Sequence, residues 1–63
     1  MKTSYDAATD ALYVRFAETP IEDSEEVAPG IILDFDAERR LVAIEVLNAR
    51  SKLTEGAVPE AAQ

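Results

Sequence analysis

The sequence contains no cysteine, no histidine and no tryptophan among its 63 residues. The absence of cysteine excludes disulfide bonds and thiolate nucleophiles, and the absence of both cysteine and histidine excludes the usual zinc sites. A chain this short buries only about 60% of the surface that its unfolded form exposes, so its own core provides marginal stability. Because disulfides and zinc are not available, we expect the chain to be stabilised by forming a homodimer.

Basic residues are also few, since six lysines and arginines stand against 13 aspartates and glutamates and give a formal net charge of -7. An acidic surface repels phosphate backbones, so direct binding of nucleic acid is not expected. No apolar run approaches the roughly 18 residues that span a bilayer, and the N-terminus has no apolar signal segment. Hydrophobic residues make up 48% of the chain, which is typical of a globular domain. These features predict a cytoplasmic protein without membrane contact.

Residues 31–47, IILDFDAERRLVAIEVL, predict a central β-hairpin. Two apolar, β-branched runs, 31–35 and 41–47, flank a short polar segment, as in an antiparallel pair. Because side chains alternate between the faces of a strand, uniting the purely apolar sets on one face fixes the register and leaves residues 37–40 as the loop. The predicted pairs are Phe35 with Val42, Leu33 with Ile44, and Ile31 with Val46.

The second face of this hairpin mixes polar and apolar side chains, and a strand over residues 12–16 extends it. Leu12, Val14 and Phe16 alternate there with Tyr13 and Arg15. Tyrosine and arginine are enriched at binding hot spots, although an amphipathic pair on a half-exposed sheet explains these two residues equally well. We name the possible interaction face the mixed face; it comprises Tyr13, Arg15, Ile32, Asp34, Ala43 and Glu45, with Leu41 and Leu47 at its margins.

The N-terminal residues 2–6 predict a first strand that is followed by a turn rich in aspartate. Matching faces would pair Tyr5 with Leu12 and Thr3 with Val14. A short helix over residues 6–12 is the alternative, because its alanines favour a helix.

Residues 17–30 predict an acidic connection with an edge strand near residues 25–27, since charges and prolines discourage further strands from adding. Residues 28–31 fit a type II turn. Asn48 is the candidate N-cap of a helix that reaches Leu53, and residues 55–63 predict a flexible C-terminal tail after a single domain of residues 1–54. The predicted fold is mainly β (α+β), a small antiparallel β-meander of three to four strands with a short C-terminal helix.

Two arrangements of carboxylates suggest chemistry. Asp34, Asp36, Glu38 and Glu45 match positions of an EF-hand calcium loop, but Arg39 stands where that loop needs glycine, and the flanks predict strands. We therefore predict no metal site and no cofactor. Asp34 and Glu45 share the mixed face and could serve as a general acid and base, whereas a charge cluster with Arg15 is the simpler interpretation. A carboxylate-based hydrolase remains the third functional alternative.

The chain resembles the DUF2283 family of short prokaryotic proteins of unknown function. The resemblance covers residues 1–53 and departs from the family at residues 38–40, where a glycine-containing turn is usual. It implies a small stand-alone domain, and because some members are encoded beside toxin-like proteins, it also implies an antitoxin or binding-partner role for part of the family. The segments that carry it are Tyr5-Asp6, Asp10-Ala11-Leu12-Tyr13-Val14, Glu25-Glu26-Val27-Ala28-Pro29-Gly30, Ile32-Leu33-Asp34-Phe35-Asp36 and Ala43-Ile44-Glu45-Val46-Leu47-Asn48-Ala49.

The expected function is that of a small non-enzymatic protein-interaction module that self-associates. The alternative is an antitoxin-like protein that binds and masks a small basic toxin with its acidic surface.

Overall fold

The computed structural model describes residues 1–58, which form an antiparallel sheet of five strands and one short helix. The strand order in the sheet is β1-β2-β5-β4-β3, and each neighbouring pair is antiparallel. The predicted fold class is therefore confirmed: the protein is mainly β with a short C-terminal helix. The elements are β1 (Lys2–Asp6), β2 (Ala11–Arg15), β3 (Asp23–Ala28), β4 (Ile31–Phe35), β5 (Leu41–Leu47) and α1 (Ala49–Lys52).

The N-terminal hairpin has the predicted register, with Tyr5 opposite Leu12 and Thr3 opposite Val14. Residues 7–10 form a turn, so the helical alternative for residues 6–12 is wrong. The Asp6 carboxylate accepts the backbone N–H of Ala8 at 3.0 Å, which is the local bond by which aspartate favours a turn.

The sheet has more strands than the predicted three to four, because the acidic segment forms the complete edge strand β3. Its backbone pairs with β4 from Asp23 to Ala28, while nearly all of its side chains remain exposed to solvent. An edge strand needs only one partner, so charged side chains do not prevent pairing. The connection between β2 and β3 crosses from one side of the β4–β5 hairpin to the other, so the strand order is not a simple meander.

The turn between β3 and β4 has Gly30 at a φ of +78°, as the predicted type II turn requires. The loop between β4 and β5 differs from the prediction. It is one residue shorter, because the Asp36 N–H donates to the Arg40 carbonyl at 2.9 Å and closes the hairpin around residues 37–39. Arg39 takes the left-handed position, with a φ of +65°, that follows a type I turn in three-residue hairpin loops.

A β-bulge at Val42 compensates for the shorter loop. Leu33 pairs with Ile44 and Ile31 with Val46 as predicted, but Phe35 pairs with Leu41, so the predicted partner Val42 was wrong. The extra residue interrupts the alternation along β5 at this point, and it thereby keeps the apolar sides of β4 and β5 matched from Leu33 to Ile31. Leu41 therefore lies on the same face as Phe35. Its predicted place at the margin of the mixed face was wrong.

The core lies where α1 packs on one end of the sheet. Leu12 and Val46 form a buried cluster with Ala49 of α1. Leu53 and Val58 pack against this cluster from the C-terminal segment. Val58 belongs to the predicted tail, whereas residues 59–63 of that tail lie outside the described residues.

The helix α1 begins after Asn48, as predicted, but the side chain of Asn48 makes no capping bond. Asn48 adopts a left-handed φ of +54°, which turns the chain from β5 into the helix. The free N–H groups at the start of α1 instead bond to Asp10, because Ala49 donates to its carbonyl at 2.9 Å and Arg50 to its carboxylate. Across residues 1–58, no helix is long and apolar enough to cross a membrane.

Candidate functional site

The register of the three central strands brings all six residues of the mixed face together. They form two adjacent rows that cross β2, β5 and β4. Opposite pairs in one sheet project their side chains to the same side, so the six side chains share a face, as the parity of the sequence predicted. One row is Arg15, Ala43 and Asp34, and the other is Tyr13, Glu45 and Ile32.

The first row is closed to solvent in its middle and at its β4 side. Ala43 is 0% exposed and Asp34 is 3% exposed. The Asp34 carboxylate accepts a hydrogen bond from the Ser24 hydroxyl at 2.6 Å, and Ser24 is its partner across the β3–β4 pair. Ala43 and Asp34 thus offer almost no surface to a partner. The sequence did not indicate a role for Ser24, because the pairing of β3 with β4 was not predicted in full.

Arg15 holds the loop that follows β2. Its guanidinium donates to the carbonyl oxygens of Ala17 and Thr19, both at 2.8 Å, and to the hydroxyl of Tyr13 at 3.1 Å. Among the ion pairs of residues 1–58, none involves Arg15. The charge cluster that the sequence suggested for Arg15, Asp34 and Glu45 therefore does not form.

Glu45 is the second carboxylate of the mixed face, and unlike Asp34 it is not bonded to Ser24. It lies between Tyr13 and Ile32 in the second row and is half-buried. Within the described part of the chain it has neither a hydrogen bond nor an ion pair. Glu26 continues the row on β3, opposite Ile32, and its carboxylate accepts the N–H of Gly30 at 2.9 Å.

Asp34 and Glu45 occupy diagonal positions on β4 and β5, because Asp34 is opposite Ala43. They share a face, as a general acid and base would require. The described chain holds no group of three or more acidic side chains placed to bind a metal ion.

The opposite surface of the sheet, the apolar face, is covered only in part. The helix α1 covers it at Leu12 and Val46. At the other end, Phe16 is 40% exposed and Leu41 is 39% exposed. The bulge at Val42, which the sequence pattern did not reveal, brings Leu41 to this surface. The apolar face comprises Tyr5, Leu12, Val14, Phe16, Ile31, Leu33, Phe35, Leu41, Ile44 and Val46.

Arg39 borders the apolar face on the side of β3. Its guanidinium lies over the ring of Phe35, 4.7 Å from the centroid, and pairs with Asp23 at 2.8 Å and with Glu25 at 3.6 Å. On β3, Asp23 lies opposite Phe35 of β4, and Glu25 lies opposite Leu33 of β4. Charged groups thus form a rim at this border, while the centre of the face is neutral.

A shallow cavity of about 260 Å³ lies beside the loop between β4 and β5. The Asp36 carboxylate in its wall accepts the backbone N–H groups of Arg40 at 2.8 Å and Glu38 at 2.9 Å. These bonds, led by the one from Arg40, hold the pKa of Asp36 below its ordinary value and outweigh the opposing effect of partial burial. The lining residues are Thr19, Pro20, Glu22, Asp36, Ala37, Glu38 and Arg40.

Comparison with known proteins identifies the family. A family profile described as "Protein of unknown function (DUF2283)" matches residues 2–50, and those residues contain the five strands and the start of α1. No curated protein and no solved structure matches the chain. Because the match covers most of the sequence, the resemblance seen in its motifs is confirmed. The chain belongs to the DUF2283 family, whose function is unknown.

Proposed function

We propose that this protein is a small non-enzymatic protein-interaction module that forms a homodimer through its apolar face. The observation that supports this proposal is the incomplete cover of that face. The helix α1 covers the end at Leu12 and Val46, whereas Phe16 and Leu41 at the other end remain 40% and 39% exposed.

The small core of this chain favours association with a second copy. Within residues 1–58 no large side chain is fully buried, and the buried hydrophobic residues are Leu12, Val42, Ala43, Val46 and Ala49. A sheet with one apolar face is stable when a second layer covers that face, and α1 is only four residues long. Fully burying one large apolar side chain contributes about 1.5–3 kcal/mol, so a few such residues stabilise a marginal domain substantially.

The two copies would meet through the same surface, as in most homodimers. The central side chains of the apolar face are neutral, and Asp23 and Glu25 at its border are partly neutralised by Arg39. The formal net charge of -7 per chain opposes association. Since added salt screens that repulsion, we expect the dimer to become stronger as the salt concentration rises.

The test compares two leucines of β5 that are almost equally exposed. Leu41 is 39% exposed and lies on the apolar face, whereas Leu47 is 41% exposed and lies opposite Ala11 on the other face. Leu41→Ser should weaken dimerisation at least tenfold, the equivalent of about 1.4 kcal/mol, while Leu47→Ser should change it little. Sedimentation velocity over a range of protein concentrations measures both, and circular dichroism confirms that each variant is folded.

Equal effects of Leu41→Ser and Leu47→Ser would show that the dimer does not use the apolar face. A folded wild-type protein that stays monomeric at every concentration would refute self-association itself.

The second candidate is an antitoxin-like function, in which the protein binds and masks a small basic protein. The acidic balance of the chain favours it, as does the carboxylate of Glu45, which has no partner among residues 1–58, because complementary charges accelerate and orient association. This function predicts that a gene beside this one encodes a small basic protein, and the test is co-expression of the two proteins. We expect the two to co-purify and the neighbour to arrest growth when it is expressed alone. Unaffected growth in that case would count against the antitoxin function.

A further inference from the structure

We propose that the mixed face binds the guanidinium group of an arginine from a basic protein partner, with Glu45 as the carboxylate that pairs with it. The proposal rests on the second function above, the binding of a basic partner, and adds the site and the recognised group to it.

A half-buried carboxylate is partly removed from water, so it is stabilised when a cation or a hydrogen-bond donor compensates it. Glu45 is half-buried in the middle strand of the sheet and has no such partner among residues 1–58. The only arginine of the mixed face, Arg15, is bound to the neutral oxygens of Tyr13, Ala17 and Thr19 instead.

The neighbours of Glu45 favour arginine over lysine. Tyr13 and Ile32 lie on either side of it, on β2 and β4, and both are half-buried. A guanidinium is planar, stacks on aromatic and aliphatic surfaces and forms two parallel bonds with a carboxylate, whereas an ammonium is a strongly hydrated point charge. The Tyr13 hydroxyl is already held by Arg15 at 3.1 Å, which fixes the position of its ring.

The other charges of this surface are consistent with a bound cation near Glu45. Asp34 lies diagonally from it, and Glu26 continues its row on β3, so negative charges surround Ile32. The basic residues Lys2 and Arg15 both lie in the other row, toward the β1 edge. The negative potential of the mixed face should therefore be centred on the β5–β4 side.

The experiment uses an acetylated, amidated hexa-arginine peptide as the probe and the isotope-labelled full chain. NMR titration should give the largest shift changes in Tyr13, Ile32 and Glu45, and hexalysine should bind more weakly. Glu45→Gln should weaken binding about fivefold, as the loss of about 1 kcal/mol implies. Glu18→Gln is the matched control, because Glu18 is an exposed carboxylate of the loop after β2 and its change removes the same charge.

Two results would overturn the proposal and are distinguishable from each other. If Glu45→Gln and Glu18→Gln weaken binding equally, or if the shifts cluster on β3, the acidic surface attracts cations without a site, and the function of binding a basic partner survives. If the wild-type protein binds neither peptide, both the site and that function fail.

Discussion

Asp10 caps a helix that begins almost 40 residues further along the chain, because both of its carboxylate oxygens lie 3.2 Å from the backbone nitrogen of Arg50. The same carboxylate accepts the hydroxyl of Tyr5 at 2.6 Å, and the Arg50 side chain donates to that hydroxyl at 2.9 Å. Asp10 thereby joins the β1–β2 turn to α1. This connection keeps the helix over the end of the apolar face that it covers.

Asp10→Ala should therefore destabilise the protein by about 1–2 kcal/mol, the upper half of the range for a lost N-cap. Asp10→Asn is the control, because asparagine retains an acceptor oxygen and tolerates the φ of +56° that Asp10 adopts. Urea unfolding measures the loss, and the amide hydrogen of Arg50 should exchange faster in Asp10→Ala. Unchanged exchange there would show that the cap does not hold the helix.

Arg39 combines an unfavourable backbone conformation with favourable side-chain contacts. Its φ of +65° costs about 1 kcal/mol for a residue with a Cβ, while its guanidinium contacts Phe35 and Asp23. Arg39→Ala removes the contacts and keeps the strain, so it should destabilise the fold. Arg39→Gly removes both and should be about 1 kcal/mol more stable than Arg39→Ala in thermal or urea unfolding. An equal stability of the two variants would contradict the left-handed geometry.

The bond from Ser24 to the buried Asp34 should stabilise the β3 edge. Ser24→Ala leaves that carboxylate without its hydroxyl donor and should destabilise the protein by about 1–3 kcal/mol. Ser4→Ala is the control, since Ser4 is an exposed serine of the other edge strand and should change stability by less than about 0.5 kcal/mol. Chemical denaturation measures the loss of stability in each variant, and equal losses would refute the role of the bond.

The lowered pKa of Asp36 predicts a contribution to stability that depends on pH. Because the folded state holds the proton less tightly than the unfolded state, ionised Asp36 stabilises the fold above its ordinary pKa of 3.8. That contribution is lost as the pH falls from about 4 through the lower folded pKa. Asp36→Asn, which retains an oxygen for the N–H groups of Glu38 and Arg40, should lose less stability over this acid range. Identical unfolding profiles from pH 2 to 6 would contradict the prediction.

The alternation of side chains predicted much of the sheet, because parity alone decides which residues share a face. It gave the pairs of Tyr5 with Leu12 and of Leu33 with Ile44, and it placed the six residues of the mixed face together. It could not give the bulge at Val42. A bulge depends on how the loop closes, and the left-handed Arg39 replaces the glycine that would have signalled that geometry.

The sequence also could not identify hydrogen-bond acceptors that are distant along the chain. The sequence favours Asn48 as the N-cap by its residue type, but the acceptor is Asp10, which only the folded sheet brings to the start of α1. Similarly, parity places Glu45 near Arg15, but the loop carbonyls of Ala17 and Thr19 bind the Arg15 guanidinium. Local patterns do not report such competition between acceptors.

Sedimentation equilibrium of the wild-type protein at micromolar concentration tests the homodimer most directly. The proposed homodimer should appear as a species of twice the 6.9 kDa chain mass, with a dimer fraction that rises with protein concentration and with salt. A well-folded protein that remains at 6.9 kDa at all of these protein and salt concentrations would contradict the homodimer.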